Sequence, residues 1–513
     1  MPRTVENRVC GRNVWAIVLA LGGGLAHGAV FPSLGVWPLA FVALAPLLMA
    51  VRGRSVGAGL VLGWAAGTVA SGVAVAPWLA ASAREFFGLG TPGALAVGVG
   101  ATQMFGAVPI AVFGGAAAQL SRLSSAPGRV LAIAAAWTAT EFGRSELLTG
   151  NPWALLGHAL YDVPVLVQVA DLGGALVVSF VLALTAAAIA ECVGRTRREA
   201  GRALVLAAAV VALVVAYGAV RLSTPPKDGE SLSIALVQGD VPNAWRNDPT
   251  RAEEGLRVYA DLTRTVLPDR PALVVWPETA VGVLLEPNPR FRAVLGEALH
   301  AAGVPLVLGA PRAAPNGAGR VALFNAAHLF APDGHELGFY DKRHLVPFAE
   351  YLPAPWLWGR DGLRPGDYTP GTTSGVFTVP VPFGVLICFE VIYPSLAREL
   401  VAGGARVLVN LSNDAWFSGA AAREQHFAAV VLRAIELRRP IVRVANAGIT
   451  AAVDAYGRVT ARFPTDVRGA WTVAVTPSDA ITLFARSGDL FAWSTVLGAL
   501  VGLARSRSPL RGG

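Results

Sequence analysis

Three residues in this chain have side chains suited to covalent chemistry and sit in or beside short apolar runs: Glu278 in ALVVWPE, Lys342 in GFYDKRHLVPFAEYLP and Cys388 in GVLICFE. Those runs read as buried strands, and strand ends are where α/β sheets present reactive groups. A thiol attacks as its thiolate, so it needs a base or a neighbouring cation. Glu278 offers the carboxylate and Lys342 the cation, and an ammonium also suits the oxyanion of a tetrahedral intermediate. Lys342 is one of two lysines, with Lys227, among 42 basic residues. Arginine is bulkier and keeps its proton, so a lysine inside a dense motif points to a place arginine will not serve. Each residue also has a plainer reading: Cys388 as a buried core thiol, Glu278 as the cap of a following helix. Together the three make a nucleophilic constellation. No His/Cys/acid cluster has ligand spacing, so neither metal nor cofactor is expected, and His344 and His426 are isolated.

The elements that must position these residues divide the chain. After the linker STPPKDGES (223–231), β-branched runs at 233–240, 272–278, 305–310, 384–390 and 406–414 alternate with helical spacing over 250–267 and 422–438. Near-continuous apolar strands imply a sheet covered on both faces, hence an α/β sandwich. No internal repeat is visible. Elsewhere the texture is that of lipid-spanning helices. Of the 513 residues 54% are hydrophobic and 15% charged, against about 25% charged in soluble domains; mean hydropathy is +0.52. Apolar runs at 14–31, 37–51, 56–80, 93–119, 130–142, 163–190, 203–221 and 490–504 predict an α-helical transmembrane bundle of about eight spans. The expected division is a seven-span bundle over 1–222, a catalytic domain over 223–488, and a last span with its tail over 489–513.

The net charge of +8 is unevenly spread: residues 1–222 carry +6, residues 223–485 carry −1 and residues 486–513 carry +3. Positive charge confined to the apolar parts reads as membrane topology and excludes a nucleic-acid face. Arg52, Arg54, Arg122, Arg129, Arg195, Arg197, Arg198 and Arg202 fall on one set of alternate loops, and Arg84 and Arg144 on the other. The positive-inside rule puts the first set and both termini in the cytoplasm, and the catalytic domain outside. Cys10, Cys192 and Cys388 are too sparse for a disulfide framework. No charge pairs are expected inside the spans, which argues against an ion-coupled transporter. Asp171 reads as a site residue or an interfacial helix cap. Trp153 and His158, in GNPWALLGHALYD (150–162), read as an interfacial belt or a rim facing substrate.

The triple WPE, YDK and CFE resembles the nitrilase superfamily, whose members use a Glu-Lys-Cys triad on an αββα sandwich. A closer resemblance runs through HLVPFAEYLP (344–353), NLSNDAWF (410–417), ALVQGDVPN (235–243), GNPWALLGH (150–158) and the eight-span frame; it is to the apolipoprotein N-acyltransferases. It implies Glu278 as general base, Cys388 as nucleophile and Lys342 as stabiliser of the oxyanion. Glu350 would orient the lysine or assist proton transfer, and Glu390 matches another acid important in that family. Trp245, Phe389, Asn413 and Trp416 fall at substrate-binding positions. Phe389 stands where tyrosine also occurs, which removes a hydroxyl. Trp245 reads equally as an interface anchor and Trp416 as core, while Asn413 and Asp414 suit a turn after their strand.

The implied reaction is ping-pong acyl transfer through a Cys388 thioester, the last step of bacterial lipoprotein maturation. The donor would be a phospholipid, through the sn-1 chain of phosphatidylethanolamine. The acceptor would be the α-amine of an S-diacylglyceryl cysteine on an apolipoprotein, and the location the bacterial inner membrane. The segment LPAPWLWGRDGLRPG (352–366) suits a lid that keeps water from the thioester, or a static anchor. Two other readings are a membrane-tethered nitrilase-type amidase acting on a small amide, and a transporter or lipid-binding scaffold with a vestigial triad.

Overall fold

The computed structural model describes residues 2–147, 150–223, 230–285, 289–315, 321–351 and 367–507. The segment 352–366, expected to act as a lid, lies outside them. The chain divides into two compact units. One comprises Met1–Thr224, Phe417–Ala428 and Arg486–Gly513, the other Pro225–Trp416 and Ala429–Ala485. The stretch Phe417–Ala428, which the sequence reading assigned to the catalytic domain, thus packs with the helical unit.

Among the described residues of the helical unit, three helices are long and apolar enough to cross a membrane: Val56–Ala74, Thr91–Leu120 and Arg197–Ser223. Pro164–Gly173 and Ala175–Glu191, bent by 118°, make a fourth if counted as one span. That is fewer than the eight runs expected, and proline accounts for part of the difference. The run 37–51 splits into a short 3-10 turn and the seven-residue helix Ala45–Val51, each with proline in its first turn. The run 56–80 breaks after Ala74, and a new helix begins at Ala76 with Pro77 at its start, the position where a missing N–H costs least. Close packing rests on glycine: a Cβ on Gly63 would collide with the carbonyl of Ile110, and one on Gly67 with that of Gly106.

The expectation of no charge pairs inside the spans fails at Asp171 and Arg221, which fall in the runs 163–190 and 203–221, and a second cluster stands just outside the runs. Arg129, 1% exposed, donates to Glu191 at 2.5 Å and to Glu199 at 3.0 Å. Asp171 pairs with Arg221 and accepts the Tyr217 hydroxyl at 2.8 Å, so it ties two helices together. These partners are 46 to 70 residues apart, beyond what a hydropathy window reveals. Trp153 and His158 form neither belt nor rim, since both are 3% exposed. Trp153 donates its indole N–H to Gln425 at 2.7 Å and packs with Trp78, Phe417 and His426.

The second unit holds two six-stranded sheets. The first runs β12 (Gly469–Val475), β1 (Leu232–Gln238), β2 (Leu273–Val275), β3 (Leu306–Pro315), β4 (Val321–Phe330), β5 (Glu336–Asp341). The second runs β11 (Val459–Arg462), β10 (Ala451–Val453), β9 (Ile441–Ala445), β8 (Val407–Ser412), β7 (Phe383–Ile387), β6 (Val376–Phe377). Each has three parallel strands, β1–β2–β3 and β7–β8–β9, followed by two antiparallel ones and flanked by an antiparallel edge. No sequence repeat announces this shared pattern. Alternate residues explain the continuous apolar runs. Ile234, Leu236, Leu273, Val275, Val385, Ile387, Val409 and Leu411 share one core. Their neighbours Ala235, Val237, Val274 and Trp276 pack in another, with Leu256 and Tyr259 of helix Pro249–Val266 and Phe291 and Leu295 of helix Pro289–Ala302. Both faces of the strands are therefore buried.

Candidate active site

Glu278 follows β2. The ladder there closes with Trp276 N–H on the Val307 carbonyl at 2.8 Å, and Gly309 N–H then reaches the Pro277 carbonyl at 3.1 Å. Gly309 lets this turn lie close: a Cβ there would stand 2.5 Å from Pro277 O and 2.7 Å from Glu278 Cα. Thr279 completes the turn at φ 50°. Lys342 follows β5, with its N–H on the Asn325 carbonyl at 2.8 Å. Its predecessor Asp341 is clamped by Arg312 through two bonds of 2.8 and 2.5 Å. The Arg312 guanidinium itself lies against the rings of Phe324 and Phe339.

Cys388 leaves β7 at φ 52°, a left-handed conformation that costs a side chain about 1–3 kcal/mol and persists where surrounding contacts enforce it. Glu390 enforces it here. One of its oxygens accepts from Ile387 N–H at 2.8 Å. The other accepts from Arg343 N–H at 2.7 Å, His344 N–H at 3.1 Å and the Tyr340 hydroxyl at 2.8 Å. Glu390, fully buried, thus binds the turn carrying Cys388 to the strand end carrying Lys342. Burial raises its carboxyl pKa despite these donors. Burial and the adjacent Glu390 charge push the Tyr340 phenol upward as well, so that it remains a donor.

Glu278, Lys342 and Glu350 meet directly. Lys342 Nζ lies 2.9 Å from Glu350 Oε1 and 3.4 Å from Glu278 Oε1. The single side-chain amide of Asn325 donates to the same two oxygens, at 2.7 and 2.8 Å. Glu350 Oε2 accepts Val346 N–H at 2.7 Å, whereas the buried Glu278 Oε2 has no hydrogen-bond partner among the described residues. Burial works against the Lys342 charge, but Glu350, Glu278, Cys388 and Glu390 outweigh it and hold the ammonium well above the ordinary lysine range. Burial and the Glu278 charge push the Cys388 thiol up to about 12, against the opposing pull of Lys342. The resting group is therefore a neutral thiol beside a carboxylate with one uncommitted oxygen.

Of the residues expected to bind substrate, Phe389 directly follows Cys388, and Trp245, Asn413 and Trp416 lie on two other turns of this unit. Asn413, 1% exposed, donates to Asn243 at 3.0 Å, joining the turn that carries Trp245 to the turn that carries Trp416. Trp245 packs against the outer core with Arg251 over its ring at 5.3 Å, and Trp416 is 43% exposed. Phe389 packs against the core between the sheets and edge-on to Tyr393. Asn325 and Tyr340 were missed in the sequence. Asn325 could have been noticed as a lone amide within LFNAAHLF.

Residues 233–483 match the carbon-nitrogen hydrolase family, and residues 23–188 match the apolipoprotein N-acyltransferase N-terminal domain. An apolipoprotein N-acyltransferase of Geobacter metallireducens is 33% identical over 496 residues, 94% of each chain. One from Pseudomonas syringae pv. tomato is 32% identical, over 91% of this chain and 92% of its own. One from Allorhizobium ampelinum is 37% identical over 68% of each chain. Among solved structures, an amidase of the nitrilase superfamily from Nesterenkonia AN1 is 17% identical, with a TM-score of 0.40 over 52% of this chain and 98% of that chain. Identity to the Geobacter enzyme extends through the helical and the sandwich regions alike, and this chain belongs to the apolipoprotein N-acyltransferase family.

Proposed function

We propose that this protein transfers an acyl chain from a membrane phospholipid to the N-terminal amine of diacylglyceryl-cysteine apolipoproteins, through a thioester on Cys388. The observation that carries the reading is the charge balance of the buried cluster. Two carboxylates, Glu278 and Glu350, face one ammonium, Lys342, and of their four oxygens only Glu278 Oε2 lacks a partner among the described residues. That oxygen is the one through which Glu278 can act as a base. Glu278 takes the thiol proton as Cys388 attacks the ester carbonyl, and Lys342 stabilises the resulting oxyanion. Collapse breaks the ester C–O bond. The lysophospholipid oxygen leaves with the proton from Glu278, and the acyl chain stays on sulfur. The acceptor amine then attacks the thioester, Glu278 takes its proton, and Cys388 is released: two substrates served in turn by one site.

Phosphatidylethanolamine is the donor in this reading, and Trp245, Phe389, Asn413 and Trp416 serve the lipid substrates. The chain sits in the bacterial inner membrane with about eight spans, including the shorter apolar segments Asn13–Ala29 and Trp37–Val51. Both termini face the cytoplasm and residues 223–488 the outer side. A small-amide hydrolase would share the same cluster, but it leaves the likeness over residues 23–188 without a purpose.

The test is the intact mass of the purified protein after incubation with phosphatidylethanolamine and no acceptor. The expected result is a hydroxylamine-labile gain of one acyl chain, absent in Cys388→Ala. A folded protein that gains nothing, in a detergent that delivers lipid, would remove the phospholipid-donor step.

A further inference from the structure

The loop that carries Trp245 leaves its strand when β1 ends at Gln238, and a side chain from the other sheet then takes the place of a strand neighbour. Asn446 directly follows β9 and is fully buried. Its side-chain amide fills all four of its hydrogen-bonding places. Oδ1 accepts Val241 N–H at 3.0 Å and the Tyr259 hydroxyl at 2.6 Å. Nδ2 donates to the Val241 carbonyl at 2.9 Å and to Asn413 Oδ1 at 3.3 Å. Val241 thus has both its N–H and its C=O paired with one amide, as an opposed strand residue would pair them. The Asn446 backbone is committed too: its N–H reaches the Ser412 carbonyl at 3.1 Å, and its carbonyl accepts Asp240 N–H at 2.9 Å.

The sequence around the loop is fitted to this junction. Gly239 admits the tyrosine: a Cβ there would stand 2.4 Å from Tyr259 Cζ and 2.7 Å from its hydroxyl oxygen. Asp240 turns the chain at φ 44°, a left-handed conformation that persists where contacts enforce it, and the Asn446 carbonyl holds its N–H. On the far side, Asn413 passes the link to Asn243 Oδ1 at 3.0 Å. The turn carrying Asn413 is itself fixed by Arg443 of β9, which gives Asp414 bonds of 2.7 and 2.8 Å and donates to Asn410 Oδ1. The loop is therefore gripped at Asp240, Val241 and Asn243. Trp245 follows, with its N–H on the Pro242 carbonyl at 3.0 Å and its ring against the outer core that holds Val241 and Tyr259.

We propose that Asn446 and Tyr259 are positioning residues for Trp245, which together set where its indole meets the acyl chain of a lipid substrate. The inference rests on the reading of Trp245 as a lipid-binding residue. An indole offers an acyl chain a broad apolar face at little cost in side-chain freedom, but only if the backbone beneath it stays in place. The Tyr259 ring has a separate duty, since it stacks on Trp276 with centroids 5.2 Å apart, two residues before Glu278. Tyr259→Phe keeps that stack and removes only the hydroxyl that Asn446 accepts.

The test is the handling of phosphatidylethanolamine by the full chain, read in two ways. One is the half-saturating lipid concentration and maximal rate of thioester formation, from intact mass at timed intervals. The other is the dissociation constant in the Cys388→Ala background, where the lipid binds without reacting. Tyr259→Phe is expected to raise the half-saturating concentration and the dissociation constant about fivefold, the worth of one hydrogen bond, with the maximal rate within about twofold of native. Gly239→Ala, which crowds the phenol, is expected to act in the same direction, and Asn446→Ala, which drops both Val241 bonds, to weaken binding further. Trp245→Ala should weaken binding at least as far as Tyr259→Phe, and adding Tyr259→Phe to it should change the constants by less than about twofold. A junction that only holds the fold together would not show that dependence on Trp245. Tyr259→Phe binding as tightly as the native chain, losing maximal rate with binding unmoved, or multiplying with Trp245→Ala overturns the proposal. If Tyr259→Phe fails to fold, Gly239→Ala takes its place in the same comparison. Trp245→Ala with native binding also overturns it, and leaves the Cys388 thioester standing. If the native chain forms no thioester, the acyl-transfer reading falls, and the dissociation constants still decide the role of Asn446 and Tyr259.

Discussion

The ammonium of Lys342 stands nearer to Glu350, at 2.9 Å, than to Glu278, at 3.4 Å. Glu350 is the lysine's principal counter-ion, which in the proposed reaction spares Glu278 for proton transfer. Glu350→Gln keeps the shape but leaves Lys342 to pair with Glu278, so the cluster loses its surplus negative charge. Thioester formation should slow about 100-fold with the fold intact, read by mass spectrometry at timed intervals. A rate within about threefold of the native chain would return Glu278 to the role of counter-ion.

Stability should depend on pH through Cys388. The folded thiol sits at about 12 against an ordinary value of 9.0. Below 9.0 both folded and unfolded chains hold the proton, so this group adds no slope. Between the two values only the unfolded thiol ionises, and stability falls by about 1.4 kcal/mol per pH unit. Lys342, held above its ordinary 10.5, contributes stability that is whole below 10.5 and is lost as pH rises through its folded value. Cys388→Ala should therefore show a shallower fall in thermal midpoint between pH 9 and about pH 10. Parallel curves for the two proteins would count against a buried neutral thiol.

Gly309→Ala should impair the reaction without touching any reacting group. The added methyl would meet Pro277 O and Glu278 Cα at 2.5 and 2.7 Å, both backbone atoms, so the turn holding the base must shift. A displacement of about 1 Å at a catalytic group can cost about 100-fold. The check is thioester formation beside thermal unfolding; native rates would show that β3 has slack there.

Glu390→Ala should destabilise the sandwich more than Tyr340→Phe. The alanine leaves Ile387, Arg343 and His344 N–H and the Tyr340 hydroxyl without their acceptor, a loss of about 3 kcal/mol or more. Tyr340→Phe removes one of the four donors and should cost about 1 kcal/mol. Chemical unfolding of the two variants gives the ratio directly, and equal losses would mean that the tyrosine carries the link.

Glu278, Lys342 and Cys388 were legible because each sits in a compact motif at the end of a buried strand, where local pattern and chemistry coincide. Asn325 and Arg443 were not, because their partners lie far along the chain: Asn325 meets Glu278 across 47 residues, and Arg443 meets Asn410 across 33. What the sequence does show is a single polar residue, Arg443, inside the apolar β9, and a single amide, Asn325, inside β4. The meander strands β10 and β11 escaped for a different reason. They are short, and β11 is largely exposed, so hydrophobic patterning has little to work with. In the helical unit Pro38, Pro46 and Pro77 marked the breaks, but the apolar runs extend across them.

The pairing of β12 with β1, from Leu232 opposite Val475 to Gln238 opposite Gly469, has a consequence for synthesis on the ribosome. The first strand of the sandwich waits for its outer neighbour until more than 200 further residues have been translated. By then Glu278, Lys342 and Cys388 have all emerged, from two different sheets. A truncated or stalled product can contain every group of the proposed reaction and still lack the strand that completes their sheet. The complete first sheet is thus deferred until the polypeptide is nearly finished.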